Sequence, residues 1–277
     1  MQAHIIAVDL GGTQIRVALC DAQGRIVNHV KKPVAAANAD ALFGRIVESI
    51  RQVAGETSIR GIGLGAPGPL DPWRGVILQA PNLPGMINYP MKEKLEKEFR
   101  VPVVVGNDAN LAALGEHRLG AGRGAAHMIY MTISTGIGGG IIAGNQLFLG
   151  ARGFAGEVGH QTLDAYGPRC NCGNVGCLET LAAGPAIVRM AREIYQRAGF
   201  FIGLGMVNLL HNFDTQMFVL GGGVAINAWD LIYPAMIDVF TKYAMPSMRR
   251  DVQIVPAQLG DDAGLIGAAM LAMEQVP

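Results

Sequence analysis

The residues with the clearest capacity for chemistry lie between Glu157 and Glu179. Three of the chain's four cysteines fall within eight positions, and a histidine precedes the first of them by ten. One imidazole and three thiolates form the ligand set of a closed, tetrahedral structural zinc site. The predicted ligands are His160, Cys170, Cys172 and Cys177. With a carboxylate at either end, such a metal-bound loop is suited to holding two acids against a ligand rich in hydroxyl groups.

The surrounding sequence argues against a packed core, a disulfide or a nucleic-acid module at these cysteines. The segment 167–177, GPRCNCGNVGC, is rich in glycine and polar residues and predicts a loop rather than a packed core. A disulfide is not expected, because no secretory signal is recognisable and the cytosol keeps thiols reduced. A nucleic-acid zinc knuckle would need basic and aromatic neighbours, which are scarce here. Cys20 lies in an apolar, strand-like run and is predicted to be a core residue.

Three glycine-rich turns could bind an anion. Asp9 begins the first (DLGGT), Ser134 the second (STGIGGG) and Leu220 the third (LGGGV). Glycine lets the N–H groups of a turn converge on a phosphate, and Thr13 and Thr135 can add hydroxyl donors. Each could be a tight turn without a ligand, but three of them at strand ends favour nucleotide binding. None matches the GxxxxGK[ST] pattern of a P-loop, and the first two link strands rather than opening a Rossmann helix.

Hydrophobic patterning predicts the elements that position these residues. The first half is predicted to form strands at His4–Asp9, Gln14–Cys20 and Arg25–Lys32, a helix at Asp40–Val53, a strand at Ile59–Leu64, a helix at Tyr89–Phe99, a strand at Val101–Val105 and a helix from Asn107. The second half is predicted to form strands at Ala126–Ser134, Gly140–Ala143, Met217–Leu220 and Val252–Val255, a glycine turn at Thr135–Gly140, and helices at Glu179–Arg197, Ile202–Asn212, Asn227–Ala244 and Ala263–Ala272. This repetition indicates two α/β lobes related by duplication, with a cleft between them.

The bulk composition excludes several classes of function. The 277 residues carry a formal net charge of zero and the pI is about 7.0, so neither nucleic acid nor an anionic membrane is an expected partner. Hydrophobic residues make up 50% of the chain and charged residues 16%, which suits a compact enzyme or a self-associating protein. Glycine, proline or charge interrupts each apolar run before it reaches the length of a membrane span. We therefore expect a cytoplasmic protein that binds small molecules.

Together these motifs resemble the ROK family (repressor, open reading frame, kinase) of the actin-like ATPase superfamily. The resemblance runs from about Ile5 to Ala272. Its motifs are DLGGT from Asp9, GAPGP from Gly65, NDAN from Asn107, STGIGGG from Ser134, GEVGH from Gly156, CxCGxxGCxE from Cys170 and LGGGV from Leu220. It implies a two-lobed actin-like ATPase (ribonuclease H-like) α/β fold. The implied N-terminal lobe covers 1–110 and the C-terminal lobe 111–277 with the zinc loop 160–177, while a final helix at about 264–277 packs back on the first lobe.

The resemblance also implies an activity. Family kinases transfer the γ-phosphoryl group of ATP to a hexose, most often at the C6 hydroxyl, with Mg²⁺ and a structural Zn²⁺. The PNLPG segment from Pro81 and the acid at Glu157 are most similar to bacterial ROK-type glucokinases, although Met86 stands where an aromatic residue is common. The implied partners are a small-molecule sugar and ATP, and a second copy of the chain in a homodimer or a dimer of dimers. The implied setting is carbohydrate metabolism, in glycolysis.

Carried over position by position, the resemblance makes Asp108 the catalytic base. Phosphoryl transfer needs a carboxylate that orients the attacking hydroxyl and accepts its proton, although an Asp at a helix start can also be a simple N-cap. The implied substrate-binding residues are Asn82, Asn107, Asp108, Glu157, His160 and Glu179. The implied nucleotide-binding residues are Asp9, through magnesium, with Gly11, Gly12, Thr13, Thr135, Gly136, Gly222 and Gly223. His160 would use one ring nitrogen for zinc and the other for the sugar.

Alternatives to a glucose kinase stay open. The sugar could be N-acetylglucosamine, N-acetylmannosamine, mannose or fructose, and the donor could be polyphosphate. A non-catalytic, sugar-sensing ROK regulator would need a helix-turn-helix domain ahead of the first strand, which begins by His4. Family members also carry a few dozen more helical residues where Gly199 precedes Phe200. Either a helical hairpin has been lost there or residues are missing from this stretch, and the lack of turn residues favours missing residues.

Overall fold

A computed structural model of the chain describes residues 4–80, 83, 85–183 and 193–275. The chain divides into two compact units. The first comprises the residues up to Arg118, the segment Leu149–Phe154 and the residues from Asp262 onward. The second comprises Leu119–Phe148 and Ala155–Asp261. The first continuous stretch of the first unit runs to Arg118, beyond the predicted limit at residue 110, because most of the helix that starts at Asp108 belongs to this unit.

A five-stranded sheet forms the centre of the first unit. Its strands are β1 (His4–Leu10), β2 (Gln14–Cys20), β3 (Ile26–Pro33), β4 (Ile59–Ala66) and β8 (Val103–Asn107), in the order β3-β2-β1-β4-β8. The first three strands form an antiparallel meander, while β4 and β8 run parallel to β1. The three parallel strands therefore end at the same edge of the sheet, where open α/β sheets bind their ligands.

Helices cover both faces of this sheet. They are α1 (Ala39–Ala54), α2 (Met91–Phe99), α3 (Asp108–Leu119) and α8 (Ala263–Gln275). Successive side chains of β1 point to opposite faces. Ile6 and Val8 pack in a buried cluster with α1, whereas Ile5 and Ala7 pack in another with α3 and α8. The apolar run of β1 is thus explained by burial on both sides.

Glycines allow α8 to lie directly on its neighbours. A Cβ added at Gly63 in β4 would be 1.8 Å from the carbonyl oxygen of Ala268. One added at Gly267 in α8 would be 1.7 Å from the carbonyl oxygen of Leu111 in α3. Both contacts are with backbone, which cannot move aside as the end of a flexible side chain can. These two glycines therefore fix the distance between α8, the sheet and α3.

We expect Gly63→Ala to lower the free energy of unfolding of the protein by about 3 kcal/mol, because the added methyl group overpacks a rigid backbone contact. The matched control is Gly44→Ala in α1, where nothing lies within 4 Å of an added Cβ. The control should be neutral or stabilising by up to about 1 kcal/mol, since alanine is the better helix former. Urea unfolding of both variants checks this, and equal midpoints for the two would contradict the packing argument.

A small second sheet in the first unit was not predicted. It contains β5 (Leu70–Asp71), β6 (Val76–Gln79) and β7 (Ile87–Tyr89). The prediction that a helix begins at Tyr89 was wrong, because Tyr89 ends β7 opposite Ile77 and α2 begins only at Met91. Pro90 explains the difference, since a proline pushes the residue before it into an extended conformation.

The second unit is also built on a five-stranded sheet. Its strands are β9 (Met128–Ile133), β10 (Ile137–Ala143), β11 (Gln146–Leu147), β12 (Met217–Gly221) and β13 (Gln253–Pro256), in the order β11-β10-β9-β12-β13. The glycine turn is shorter than the predicted Thr135–Gly140, because Gly138 and Gly139 already pair with β9. A Cβ at Gly139 would be 2.6 Å from a methyl group of Val158. Glycine in this strand therefore makes room for a neighbouring segment rather than forming a turn.

The helices of the second unit differ from the prediction in their limits. They are α4 (Leu178–Ala182), α5 (Glu193–Phe213), α6 (Gly223–Asn227) and α7 (Trp229–Tyr243), with short 3₁₀ turns at Val158–His160 and Gly260–Asp262. The helix predicted at Glu179–Arg197 is interrupted after Ala182, where α4 ends, while its last residues, from Glu193, are helical in α5 as predicted. Residues 184–192 lie outside the described part of the chain. The helix predicted at Asn227–Ala244 is confirmed only from Trp229, since Asn227 ends a separate short helix.

The predicted break near Gly199 was also wrong, because α5 runs unbroken through this point. A Cβ at Gly199 would be 2.5 Å from the carbonyl oxygen of Ile232 in α7, and one at Gly203 would be 2.6 Å from that of Met236. These glycines let α5 pack closely on α7. They serve this contact inside one continuous helix and do not mark a connection between two helices. Within the described residues, no helix has both the length and the apolar character needed to cross a bilayer.

Candidate functional site

The carboxyl edge of the first sheet gathers several predicted residues. Asp9 pairs with Gly65 near the end of β1, and Asn107 pairs with Ala66 at the end of β8. Because β4 lies between these strands, Asp9 and Asn107 are two strand spacings, about 10 Å, apart. The first unit thus brings the Asp9 turn and the Asn107–Asp108 pair to one edge.

Asp108 is an exposed carboxylate in the first turn of α3. Oδ1 of Asn107 accepts the N–H groups of Ala109 at 3.0 Å and Asn110 at 3.2 Å, so Asn107 caps this helix. Oδ1 of Asp108 also accepts the Ala109 N–H, at 2.8 Å. The Asp108 carboxylate lies at the positive end of the α3 dipole, which stabilises negative charge. Asn107 uses its carbonyl oxygen for capping, so its amide group is the part suited to a ligand.

An arginine that the sequence analysis did not identify lies on Asp9. Arg16 donates to Oδ2 of Asp9 from Nε at 3.0 Å and from Nη2 at 2.6 Å, and its Nη1 is 3.8 Å from Asp262. Asp9 and Arg16 are cross-strand neighbours in the β1–β2 hairpin, so the hairpin register was the signal that could have found the pair. In the described part of the chain no group donates to Oδ1 of Asp9. That oxygen fits a hydrated Mg²⁺.

The two predicted phosphate turns occupy equivalent places, one in each unit. In the first unit the N–H of Gly11 donates to the carbonyl oxygen of Gln14 at 2.9 Å. In the second unit the N–H of Ser134 donates to the carbonyl oxygen of Gly136 at 2.9 Å. Each turn follows a central strand and leaves a threonine, Thr13 or Thr135, exposed. Each can therefore present backbone N–H groups and one hydroxyl to an anion.

The glycine loop after β12 lies beside the second of these turns. A Cβ at Gly222 would be 2.6 Å from the carbonyl oxygen of Ile133, while one at Gly223 would meet nothing nearer than Asn227 at 3.9 Å. Gly222 has a φ of 85°, a conformation that favours glycine. It lets this loop lie against the end of β9, directly before the turn, and Gly223 leaves open surface at the start of α6. The second unit thus brings together its predicted nucleotide-binding residues, Thr135, Gly136, Gly222 and Gly223.

The four predicted zinc ligands converge in the second unit. Their ligand atoms all lie within 4.8 Å of one another. Nδ1 of His160 is 3.7 Å from Sγ of Cys170, and the Sγ atoms of Cys172 and Cys177 are 3.7 Å apart. A tetrahedral zinc ion with Zn–S bonds of about 2.3 Å separates its sulfur ligands by about 3.8 Å. The donor set therefore fits zinc, and all four cysteines of the chain are free thiols.

The loop that carries these cysteines is mostly exposed and is held mainly by backbone bonds, such as that from the N–H of Cys170 to Asn174 at 2.8 Å. The backbone N–H of Asn174 lowers the pKa of the Cys172 thiol below its usual value. Burial raises the pKa of the Cys177 thiol to about 12. Since zinc binds thiolates, loading the site requires the release of at least the Cys177 proton.

His160 presents its two ring nitrogens to different neighbours. Nδ1 faces Cys170, whereas Nε2 is 3.8 Å from Oε2 of Glu157, a carboxylate with 57% of its surface exposed. The ring can thus bind zinc through Nδ1 while Nε2 and Glu157 face a ligand. Glu179 has a contact that the sequence analysis did not predict, because its Oε2 accepts the N–H of Ile137 at 2.9 Å. Asn82, also a predicted sugar ligand, lies outside the described residues.

Comparison with known proteins identifies relatives of the chain. The model of the ROK family matches residues 5–193 and 188–275. A glucokinase from Halalkalibacterium halodurans is 34% identical over 98% of this chain and 95% of the relative. A ROK hexokinase structure from Thermus thermophilus superposes with a TM-score of 0.89 at 36% identity, covering 100% of this chain and 99% of that one. A ROK family glucokinase from Streptomyces griseus, in complex with glucose and AMPPNP, superposes with a TM-score of 0.85 at 32% identity, covering 98% and 100%.

Proposed function

Because the chain belongs to the ROK family, we propose that it is an ATP-dependent hexose kinase that phosphorylates the C6 hydroxyl of glucose. The predicted actin-like ATPase fold is confirmed by the solved relatives. The observation that carries the function is the likeness, over 98% of this chain, to the glucokinase that holds glucose and AMPPNP. The alternatives are kinases for other hexoses and a sugar-sensing regulator.

In the first unit we assign the proton acceptor to Asp108. Its exposed carboxylate can orient the sugar hydroxyl and take its proton as the phosphoryl group transfers. Asn107, which fixes the start of α3, can donate from its amide group to a neighbouring sugar oxygen. The turn of Gly11, Gly12 and Thr13 binds phosphate oxygens. Asp9 holds Mg²⁺ through water, and bound Mg²⁺ would neutralise charge on the transferring phosphoryl group.

In the second unit the proposed roles fall into two groups. Thr135 and Gly136 bind phosphate, and Gly222 and Gly223 lie under the adenosine, because the glycine loop lies against the end of β9, directly before the turn, and Gly223 leaves open surface. The proposed sugar ligands form hydrogen bonds with the sugar hydroxyls, and they are Glu157, His160 and Glu179. We retain Asn82 as a further sugar ligand. Such groups distinguish sugars because a wrongly placed hydroxyl leaves a buried polar group unpaired.

We propose that the loop binds one structural Zn²⁺ through His160, Cys170, Cys172 and Cys177. The support is the donor set, its spacing and the largely exposed loop around it, which is held mainly by backbone hydrogen bonds. Zinc on Nδ1 would fix the tautomer and direction of the imidazole, so that Nε2 keeps a constant position beside Glu157. The metal has no proposed part in the chemistry itself.

The proposed activity predicts ADP release from magnesium-ATP with glucose, at a turnover of roughly 1–100 s⁻¹, as is usual for kinases. The measurement compares glucose with mannose, fructose, N-acetylglucosamine and N-acetylmannosamine, and ATP with polyphosphate. Turnover of an acetylated sugar alone would keep the mechanism and change the substrate. Sugar binding with no phosphoryl transfer from either donor would favour the regulator.

We also propose a homodimer, or a dimer of dimers, acting in the glycolytic metabolism of the cytoplasm. The support for self-association is the set of exposed apolar side chains on α6 and α7, including Ile226 and Leu231. The support for the compartment is the need for ATP and for reduced thiols. Light scattering coupled to size-exclusion chromatography gives the oligomeric mass directly.

A further inference from the structure

The carboxylate of Glu179 holds the backbone of the predicted phosphate turn. Its Oε2 accepts the N–H of Ile137 at 2.9 Å, and Ile137 is the residue directly after the turn Ser134–Gly136. Ile137 faces Ile133 across the β9–β10 hairpin, so this N–H lies where the ladder ends and the turn begins. A hydrogen bond to an ionised acceptor is roughly twice as strong as a neutral one. Glu179 is therefore in a position to set the path of the turn.

Gly136 lies against the same carboxylate. A Cβ at this position would be 2.4 Å from Oε2 of Glu179 and 3.3 Å from its carboxyl carbon. Gly136 is not among the residues with positive φ, so its backbone conformation does not itself require glycine. The need for glycine here comes from the space that the Glu179 carboxylate occupies. The turn and the carboxylate are thus packed as one unit.

The elements that carry Glu179 are attached to the zinc loop. Glu179 lies in the first turn of α4, which begins directly after Cys177. The N–H of Leu178 donates to the carbonyl oxygen of Gln161 at 2.9 Å, next to His160. Two predicted zinc ligands therefore border the segment that positions the carboxylate.

A second contact, from the residue that precedes His160, reaches the same residue, Ile137. A Cβ at Gly159, between Val158 and His160, would be 2.0 Å from the carbonyl oxygen of Ile137. Ile137 is thus held on its N–H by Glu179 and approached at its carbonyl by Gly159. The end of the phosphate turn is fixed from both sides by residues of the proposed sugar-binding segments.

We propose that Glu179 is a positioning residue for the phosphate turn, in addition to binding the sugar. The inference rests on the proposed function for the identity of the turn's ligand. A carboxylate near a phosphate turn repels the triphosphate, so on charge alone its removal should tighten nucleotide binding. The geometry points to the opposite result, because loss of the Ile137 bond and of packing on Gly136 frees the turn.

The test is the affinity for AMPPNP measured by calorimetry with no sugar present, which separates this role from sugar binding. Glu179→Ala should raise the Kd by about tenfold, the usual effect of losing a charge-assisted hydrogen bond. Glu179→Gln keeps an acceptor oxygen and should stay within about threefold of the unchanged protein. The matched control is Glu157→Ala, because within the described residues the side chain of Glu157 is shown beside His160 rather than bonded to the turn, and this change should alter the KM for sugar but not this Kd. An unchanged or lower Kd in Glu179→Ala, with the fold intact, would overturn the proposal.

A double substitution tests the contact with Gly136. Gly136→Ala alone should weaken AMPPNP binding, because its methyl group displaces the carboxylate. In the Glu179→Ala background the space is free, so the same change should add less than about twofold. An equal effect of Gly136→Ala in both backgrounds would contradict the shared packing. If instead no sugar yields ADP while these Kd shifts occur, the proposed activity fails and the positioning role stands.

Discussion

Replacing Asp108 with Asn is expected to reduce turnover by about a thousandfold, within the range that general-base catalysis contributes. The amide is nearly the same size and keeps an oxygen that can accept the Ala109 N–H, now bonded at 2.8 Å. It cannot take the proton of the attacking hydroxyl. Glucose binding should stay within about threefold, because the remaining hydrogen bonds to the sugar are unchanged. The measurements are steady-state ADP release and glucose affinity by calorimetry.

The matched control for Asp108→Asn is Glu93→Gln. Glu93 is also an exposed carboxylate in the first turn of a helix of the first unit, and no function is proposed for it. Each substitution removes one negative charge from a helix N-terminus, at a cost of about 0.3–1 kcal/mol in stability. A fall in turnover confined to Asp108→Asn therefore assigns the effect to the proton acceptor. Wild-type turnover in Asp108→Asn would show that this mechanism is wrong.

Much of the first unit could be predicted because its signals are local. The alternation of β1 and β2 and the turn between them fix the hairpin, and β1 is observed within one residue of its predicted limits. In the second unit the errors arose where glycine has a tertiary role. Gly139 makes room for Val158, and Gly199 makes room for α7. Sequence alone cannot distinguish a glycine that turns the chain from one that admits a neighbour.

In the candidate site, too, the contacts set by local spacing could be predicted, and those set by tertiary packing could not. The spacing of cysteines and a histidine identified four ligand atoms that the structure brings together, because a short loop limits how far they can separate. The Arg16–Asp9 pair could have been predicted from the register of the β1–β2 hairpin, in which the two residues are opposite each other. The bond from Ile137 to Glu179 was not, since it joins residues 42 positions apart through the packing of α4 against a turn. Such a contact depends on tertiary structure alone.

If the loop holds the proposed Zn²⁺, Cys172→Ser is expected to reduce zinc content from the proposed one ion per chain to a small fraction, and activity by about a hundredfold or more. Cys172 is exposed, so serine leaves no cavity and buries no hydroxyl, and the effect can be attributed to the lost thiolate. Without the ion, the imidazole of His160 loses the ligand bond that fixes its direction. The start of α4, and with it Glu179, also loses its anchor at Cys177. Zinc content by mass spectrometry, turnover and AMPPNP affinity should therefore fall together.

The fourth cysteine supplies the control. Cys20 is buried in the first unit, away from the zinc loop in the chain, and burial raises the pKa of its thiol to about 12. Cys20→Ala should lower stability by about 1 kcal/mol through the small cavity it leaves, while zinc content and turnover stay unchanged. Treatment of the unchanged protein with a chelator should reproduce the Cys172→Ser result, because both remove the same ion. Full activity in protein shown to be free of zinc would mean that hydrogen bonds alone hold His160 and Glu179, and the metal would have no part in positioning the sugar.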